Sequence, residues 1–147
     1  MIRLDHVGIL VRSIQEALPL YIELLGLTAD PAVELTEQQV RVVFLHAGDG
    51  QIELLEPMTS DCLLAQVLEK RGEGLLHLCL EVEDIEGVLR KLEAAGLRLV
   101  DRHAWLSPHG LAAFVHPTAF HGVSIELRQK VRPERGGAGS PDSKGAT

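Results

Sequence analysis

Residues 76–89, LHLCLEVEDIEGVL, combine an apolar strand pattern that carries one histidine with a helix start at Asp84. The same layout occurs earlier in the chain, in residues 4–14, LDHVGILVRSI. His6 and His77 are 71 positions apart. Three apolar pairs have the same spacing: Val11 and Val82, Ile14 and Ile85, Leu18 and Leu89. The chain is therefore predicted to contain two copies of one unit, in which each important residue has a counterpart.

Length and composition exclude several classes of protein. The 147 residues suffice for one domain, or for two small halves that share a core. No apolar run approaches the ~20 residues of a membrane helix, and no secretory signal precedes the first strand, so we expect a cytoplasmic protein. The net charge of −7 argues against a nucleic-acid partner, and an anionic ligand would need a local basic patch. Cys62 and Cys79 lack the spacing of a metal or disulfide motif, so we expect free thiols.

Period-2 alternation and β-branched residues, bounded by Gly, Pro and Asp, predict the strands. The first copy has four predicted strands: residues 4–11, 33–35, 40–47 and 51–56. The second copy also has four, separated by a loop over residues 102–110: residues 76–82, 97–101, 111–116 and 123–128. In the first strand the alternation places His6 on one face and Asp5 on the other.

Capping residues and glycine stops predict three helices: residues 13–25, 60–71 and 84–96. The first begins with a capping box formed by Ser13 and Glu16, and Pro19 should kink it. Ser60-Asp61 should cap the second helix and Asp84 the third.

Together these elements predict an α+β fold of two βαβββ modules, residues 1–71 and 72–129. Apolar strand faces on one side imply two curved sheets with helices outside and a concave polar face inside, where function should lie. Residues 130–147 are rich in Gly, Pro, Ser and charge, so we predict a disordered tail.

Two glutamates repeat as the histidines do. Glu53 lies in the last strand of the first module and Glu126 in the last strand of the second, 73 positions later. Each of the four residues taken singly could be an ordinary core or surface residue. As a duplicated set, His6, Glu53, His77 and Glu126 predict a metal site across a pseudo-twofold axis, because a divalent cation offsets the cost of burying carboxylates. Mixed nitrogen and oxygen ligands suit Mn, Fe, Co, Ni or Zn better than Ca, and four ligands leave positions open for catalysis.

Four motifs resemble the methylmalonyl-CoA epimerase family of the glyoxalase, or vicinal-oxygen-chelate, superfamily. They are DHVGI at residues 5–9, GLLHL at 74–78, AFVHP at 113–117 and GVSIEL at 122–127. The resemblance covers residues 4–128 and identifies residues 1–129 as a vicinal-oxygen-chelate domain with a metal-binding cavity. It implies the same four metal ligands, and Glu37 matches a glutamate that the family uses as a base.

The resemblance implies an enzyme that interconverts (2R)- and (2S)-methylmalonyl-CoA by metal-assisted proton removal and return at C2. We expect Glu37 to act on one face of the substrate and Glu126, a ligand that doubles as a base, on the other. The family commonly forms dimers, so we expect a homodimer that takes an acyl-CoA substrate.

Two departures from the family pattern leave a related acyl-CoA open as substrate. Leu76 stands where the family has the first of two adjacent histidines, and Thr118 stands where a lysine is common in the family. Three other functions of the superfamily remain as alternatives. A lactoylglutathione lyase would use the same four ligands, a ring-cleaving dioxygenase usually keeps three with iron, and a non-enzymatic drug-binding protein typically lacks the paired ligands.

Overall fold

The computed structural model describes residues 1–132, so most of the predicted tail, residues 133–147, lies outside the described part. The described residues contain nine strands: β1 Arg3–Leu10, β2 Thr28–Ala29, β3 Val33–Leu35, β4 Val40–Ala47, β5 Gly50–Pro57, β6 Gly74–Glu81, β7 Trp105–Ser107, β8 Gly110–Val115 and β9 Ser124–Gln129. The α-helices are α1 Ile14–Pro19, α2 Leu63–Arg71 and α3 Ile85–Ala94. A π-helical turn, Leu20–Leu24, continues α1, and a 3₁₀ turn, Pro117–Phe120, precedes β9.

The strands of both halves form one mixed sheet rather than the two separate sheets expected. Its order is β2-β4-β5-β1-β6-β9-β8-β7, and β3 pairs with β4. The halves are joined at the centre, because β1 and β6 pair antiparallel. Each of these strands also pairs in parallel with the last strand of its own half, β1 with β5 and β6 with β9. The α+β class and the repeated strand and helix arrangement are confirmed.

The pairing register repeats with the spacing seen in the sequence. Gly8 of β1 lies beside Glu53 of β5. Cys79, 71 positions after Gly8, lies beside Glu126, 73 positions after Glu53. The two halves therefore place equivalent residues at equivalent points of the sheet.

A pseudo-twofold axis passes through the middle of the β1–β6 pair, where Val7 lies opposite its own counterpart Leu78. On either side of this point the register shifts by one residue. Asp5 is an extra, unpaired residue in β1, and Leu76 is an extra, unpaired residue in β6. The two bulged residues are themselves 71 positions apart. Since a bulge interrupts side-chain alternation, the prediction that Asp5 faces away from His6 is wrong, and the two side chains are hydrogen-bonded.

The capping predictions hold for two of the three helices. Ser13 and Asp84 accept backbone hydrogen bonds at the first turns of α1 and α3. The predicted irregularity at Pro19 is the change from α1 to the π-helical turn, since proline has no N–H to continue the helical pattern. The second helix begins after Cys62, not after Ser60-Asp61, and no side chain caps it.

Short edge strands account for the other differences from prediction. The strand expected over residues 97–101 is only a single bridge between Leu99 and Val115. The loop expected over residues 102–110 contains β7, and β2 was not predicted. Strands of two or three residues are too short to show a period-2 pattern. Both cysteines are free, as expected.

Helices cover the two faces of the sheet differently. The first helix packs on β4 and β5, and α3 packs on β8 and β9. The second helix lies on the opposite face of β5, because Leu54 contacts the α1 cluster whereas the adjacent Leu55 contacts the α2 cluster. Leu10 lies in the same apolar cluster as Leu55, on the face of the sheet that α2 covers, and His6 is on this face too. No helix in residues 1–132 is long and apolar enough to cross a membrane.

Candidate metal centre

The four predicted ligands lie on the four central strands of the sheet. Going across β5, β1, β6 and β9, each neighbouring strand contributes one of them: Glu53, His6, His77 and Glu126. All four are buried, with 1% to 8% of their surface exposed. The β1–β6 junction therefore brings together residues that are far apart in sequence.

The donor atoms of these side chains converge on one point. His6 Nε2 and His77 Nε2 are 3.1 Å apart, and Glu126 Oε2 lies 3.3 and 3.1 Å from them. Glu53 Oε1 lies 3.8 and 3.6 Å from the same two nitrogens. Two ligands about 2.1 Å from one ion and 90–110° apart would be separated by roughly 3.0–3.4 Å. The spacing of the His6, His77 and Glu126 donors fits this range, and the Glu53 oxygen lies a few tenths of an ångström beyond it.

Electrostatics at the centre favour positive charge between the carboxylates. Burial by itself would lower the pKa of His6, but hydrogen bonds to Asp5, Cys79 and Glu126 outweigh it and raise the pKa to about 11. Burial would raise the pKa of Glu126, yet the hydrogen bonds of both histidines hold it well below its usual value. Burial raises the pKa of Glu53, whose oxygen is farther from the histidines. A divalent metal ion between these carboxylates would take the place of the proton, because a histidine must be deprotonated to act as a ligand.

Asp5 and Arg128 support the ligands from one side. Asp5 Oδ2 lies 2.8 Å from His6 Nδ1 and 2.9 Å from Arg128 Nη1. Because the Asp5 carboxylate accepts a hydrogen bond from the Nδ1–H group of His6, it fixes the ring with Nε2 toward the centre. Arg128 Nη2 is 3.8 Å from Glu126 Oε1, so the arginine also faces the second carboxylate. The hydrogen bond to His6 and the nearby Arg128 both hold the pKa of Asp5 below its usual value.

Gly8 leaves the space that the His77 ring occupies. A Cβ at this position would lie 2.6 Å from His77 Nδ1 and 2.7 Å from Nε2, far inside ordinary contact. The ring of His77 packs edge-on against Phe114, with centroids 5.9 Å apart, and His6 packs in the same way against Phe44 at 5.3 Å. Close packing fixes both imidazoles in place.

Sequence reasoning missed these supporting residues, although for one pair the signal was present. Phe44 lies opposite Glu53 in β4–β5, and Phe114 lies opposite Glu126 in β8–β9. The two phenylalanines are 70 positions apart, close to the spacing of the ligands, so the repeat could have revealed them. Asp5 gives no such signal, because its counterpart Leu76 is apolar.

Glu37 lies apart from the ligands in this structure. It occupies the exposed turn between β3 and β4. Within residues 1–132 its side chain has no hydrogen bond or ion pair with any of the four ligands. The turn precedes β4, which carries Phe44 to the metal centre. Its catalytic role stays a prediction.

Comparison with known proteins identifies the family. A sequence model of the Glyoxalase/Bleomycin resistance protein/Dioxygenase superfamily matches residues 5–110. The chain belongs to the glyoxalase superfamily. The chain is 35% identical to the mitochondrial methylmalonyl-CoA epimerase of Bos taurus over 129 residues. The match covers 86% of this chain and 74% of the relative.

Two further relatives are similar over nearly their whole length. The ethylmalonyl-CoA/methylmalonyl-CoA epimerase of Cereibacter sphaeroides is 34% identical, and the match covers 86% of this chain and 97% of the relative. The crystal structure of methylmalonyl-CoA epimerase from Mycobacterium tuberculosis superposes with a TM-score of 0.79 at 32% identity and covers 88% of each chain. The resemblance expected from the four motifs is confirmed.

Proposed function

We propose that this chain is an epimerase that interconverts (2R)- and (2S)-methylmalonyl-CoA by moving a proton at C2. The observation that carries the proposal is that an oxygen of each of two glutamates lies within 3.8 Å of the Nε2 atoms of two histidines, which are themselves 3.1 Å apart, in a buried site. Similarity to epimerases over 86% of the chain narrows the chemistry from the superfamily to this reaction.

The donor set fits a divalent cation, and we propose Co, Mn, Ni or Zn. His6, Glu53, His77 and Glu126 would hold it. When bound, such an ion would act as a Lewis acid on the thioester carbonyl and make the C2 proton more acidic. Phe44 and Phe114, packed against the histidines, limit the access of water to the same region.

Inversion at C2 needs one group that removes a proton and another that returns one to the opposite face. We assign Glu126 to one face. It stays ionised because both histidines hold its pKa low, and its Oε1 is turned toward Arg128 rather than toward the imidazoles. We assign Glu37 to the other face on the basis of the family resemblance and of its position in the turn that precedes β4.

The decisive experiment follows hydrogen exchange at C2. The protein is incubated with methylmalonyl-CoA in D₂O, with and without a chelator, and deuterium at C2 is followed by NMR. We expect exchange that stops when the metal is removed. No exchange with the metal-loaded protein would refute the proposal, and turnover of a glutathione hemithioacetal in its place would identify a lactoylglutathione lyase.

The assignment of Glu37 has its own test. Glu37→Gln should bind metal as the wild type does and lose exchange by about 10²-fold or more, as expected for removal of a general base. Glu23→Gln, at another exposed glutamate outside the site, is the matched control and should keep full activity. Full activity of Glu37→Gln would remove Glu37 from the mechanism.

We further propose a homodimer and a cytoplasmic location. The turn after α1 exposes neighbouring apolar side chains, Leu20, Leu24 and Leu25, as interfaces between subunits often do. Analytical ultracentrifugation should give a dimer that Leu24→Glu weakens, and a wild-type monomer would contradict this. Cell fractionation tests the location.

A further inference from the structure

The two ends of the metal centre are related by the pseudo-twofold axis but differ in chemistry. At one end, three leucines of β1, β5 and β6 pack beneath α2: Leu10, Leu55 and Leu76. Their counterparts at the other end, 71 or 73 positions away, are all charged: Glu81, Arg128 and Asp5. Arg128 follows the ligand Glu126 by two residues, as Leu55 follows Glu53. One glutamate therefore has an arginine beside it where the other has a leucine.

Arg128 is buried and contacts groups from both halves of the chain. Only 8% of its surface is exposed. Its Nη1 lies 2.9 Å from Asp5 Oδ2, and its Nη2 lies 3.8 Å from Glu126 Oε1. Because β6 lies between β9 and β1, the arginine side chain crosses that strand to reach Asp5. It thus joins a ligand of the second half to the carboxylate that holds His6 in the first.

This arrangement gives the two oxygens of Glu126 different partners. Oε2 lies 3.3 Å from His6 Nε2 and 3.1 Å from His77 Nε2, whereas Oε1 faces the guanidinium. A carboxylate can bind a cation through one oxygen or through both. A guanidinium beside Oε1 attracts that oxygen and repels a cation that approaches it, and burial strengthens both effects. Glu126 therefore presents one oxygen to the centre.

Glu53 has no such restraint. Its Oε1 lies 3.8 and 3.6 Å from the two Nε2 atoms of the histidines. Among residues 1–132 its other oxygen has no hydrogen bond or ion pair, and the equivalent of Arg128 is the apolar Leu55. Two glutamates at equivalent positions of the sheet are thus held differently, and Arg128 makes the difference.

We propose that Arg128 is a positioning residue that keeps Glu126 a ligand through one oxygen and so preserves an open coordination position. The inference rests on the metal centre of the proposed function and not on the identity of the acyl-CoA. Four donors, one from each side chain, would leave two positions of a six-coordinate ion for substrate oxygens. A second oxygen from Glu126 would fill one of them.

Water-proton relaxation of the Mn²⁺-loaded protein counts the positions that the side chains leave open, because each coordinated water speeds the relaxation of bulk water. Arg128→Leu introduces the residue of the equivalent position in the first half. We expect its relaxation enhancement per bound Mn²⁺ to fall by about half, since a fifth protein donor would leave one of two coordinated waters. Arg128→Lys keeps the positive charge and should stay close to the wild-type value. The matched control is Arg41→Leu, which removes an arginine paired with Glu56 outside the centre and should change nothing.

Every variant is compared at saturating Mn²⁺, with thermal denaturation of the metal-free protein as the check on folding. If Arg128→Leu fails to fold because Asp5 loses its cation, Asp5→Leu/Arg128→Leu takes its place and leaves no unpaired charge; the same fall is expected. An unchanged enhancement in the leucine variant, an equal fall in Arg128→Lys or Arg41→Leu, or a folded variant that takes up no Mn²⁺ would overturn the proposal. No uptake by the wild type would refute the metal centre itself and this role of Arg128 with it.

Discussion

Gly8 is the position where one added methyl group should disable the metal centre. Its φ lies outside the left-handed region, so an alanine there tests space alone and not backbone strain. The added Cβ would overlap the His77 ring. That ring is only 5% exposed and packs against Phe114, so it has no free side toward which to move.

The size of the effect follows from the distances. His77 Nε2 would be 2.7 Å from the new Cβ, whereas ordinary contact begins at 3.4 Å. The nitrogen must therefore move by about 0.7 Å, while metal–ligand distances tolerate only about 0.2 Å. Because this displacement removes a ligand rather than only its support, we expect Gly8→Ala to weaken metal binding about 100-fold or more, about 2.7 kcal/mol.

Competition of metal-free protein with a chelator for Co²⁺ measures this loss. Gly50→Ala is the matched control, because a Cβ there would meet only the Ala47 carbonyl oxygen, at 3.6 Å. Thermal denaturation of the metal-free variants shows whether the fold is kept. If Gly8→Ala folds normally and binds Co²⁺ within threefold of the wild type, the reasoning about the His77 ring is wrong.

Three other variants test the support of the site, the core and the contact between Glu86 and the loop at Ala104. Asp5→Asn should lower metal affinity about 10–100-fold, since the His6 tautomer loses its carboxylate partner, and unchanged affinity in the chelator assay would contradict this. Leu89→Ala, at a position 1% exposed, should lower the free energy of unfolding by about 2–5 kcal/mol in urea denaturation without changing metal stoichiometry. Hydrogen bonds from the Ala104 N–H and from His103 hold the pKa of Glu86 below 4.5, so its contribution exists above pH 4.5 and disappears as pH falls through the folded pKa. Glu86→Gln should therefore lower Tm more at pH 7 than at pH 3. An equal decrease in Tm at the two pH values would contradict the lowered pKa of Glu86.

The repeat made the convergence of four polar residues predictable from the sequence. A histidine or glutamate on a strand is uninformative alone, but His6, His77, Glu53 and Glu126 recur at nearly equal spacing. The structure places all four donors together because the equivalent strands of the two halves are neighbours in one sheet. The division into modules 1–71 and 72–129 stays a prediction that the repeated register supports.

The residues that differ between the two halves could not be predicted from the repeat. Asp5 and Arg128 correspond to Leu76 and Leu55, so comparing the two halves gives no sign of their contact. The alternation of β1 also misplaced Asp5, since a one-residue bulge is invisible in a short apolar pattern. The joining of both halves into one sheet depends on the long-range β1–β6 pairing, which no local signal encodes.

A symmetric ligand set in asymmetric surroundings suits a substrate that is itself asymmetric. The two glutamates occupy equivalent positions, yet Glu126 Oε2 is nearer the histidine nitrogens than Glu53 Oε1, and their pKa values shift in opposite directions. Pairs of carboxyl groups separated in this way can take different parts in acid–base chemistry. The surroundings differ in the same sense, because α2 closes one end and Asp5 and Arg128 line the other. The duplicated unit thus provides two glutamates at equivalent positions of the sheet but in different electrostatic surroundings.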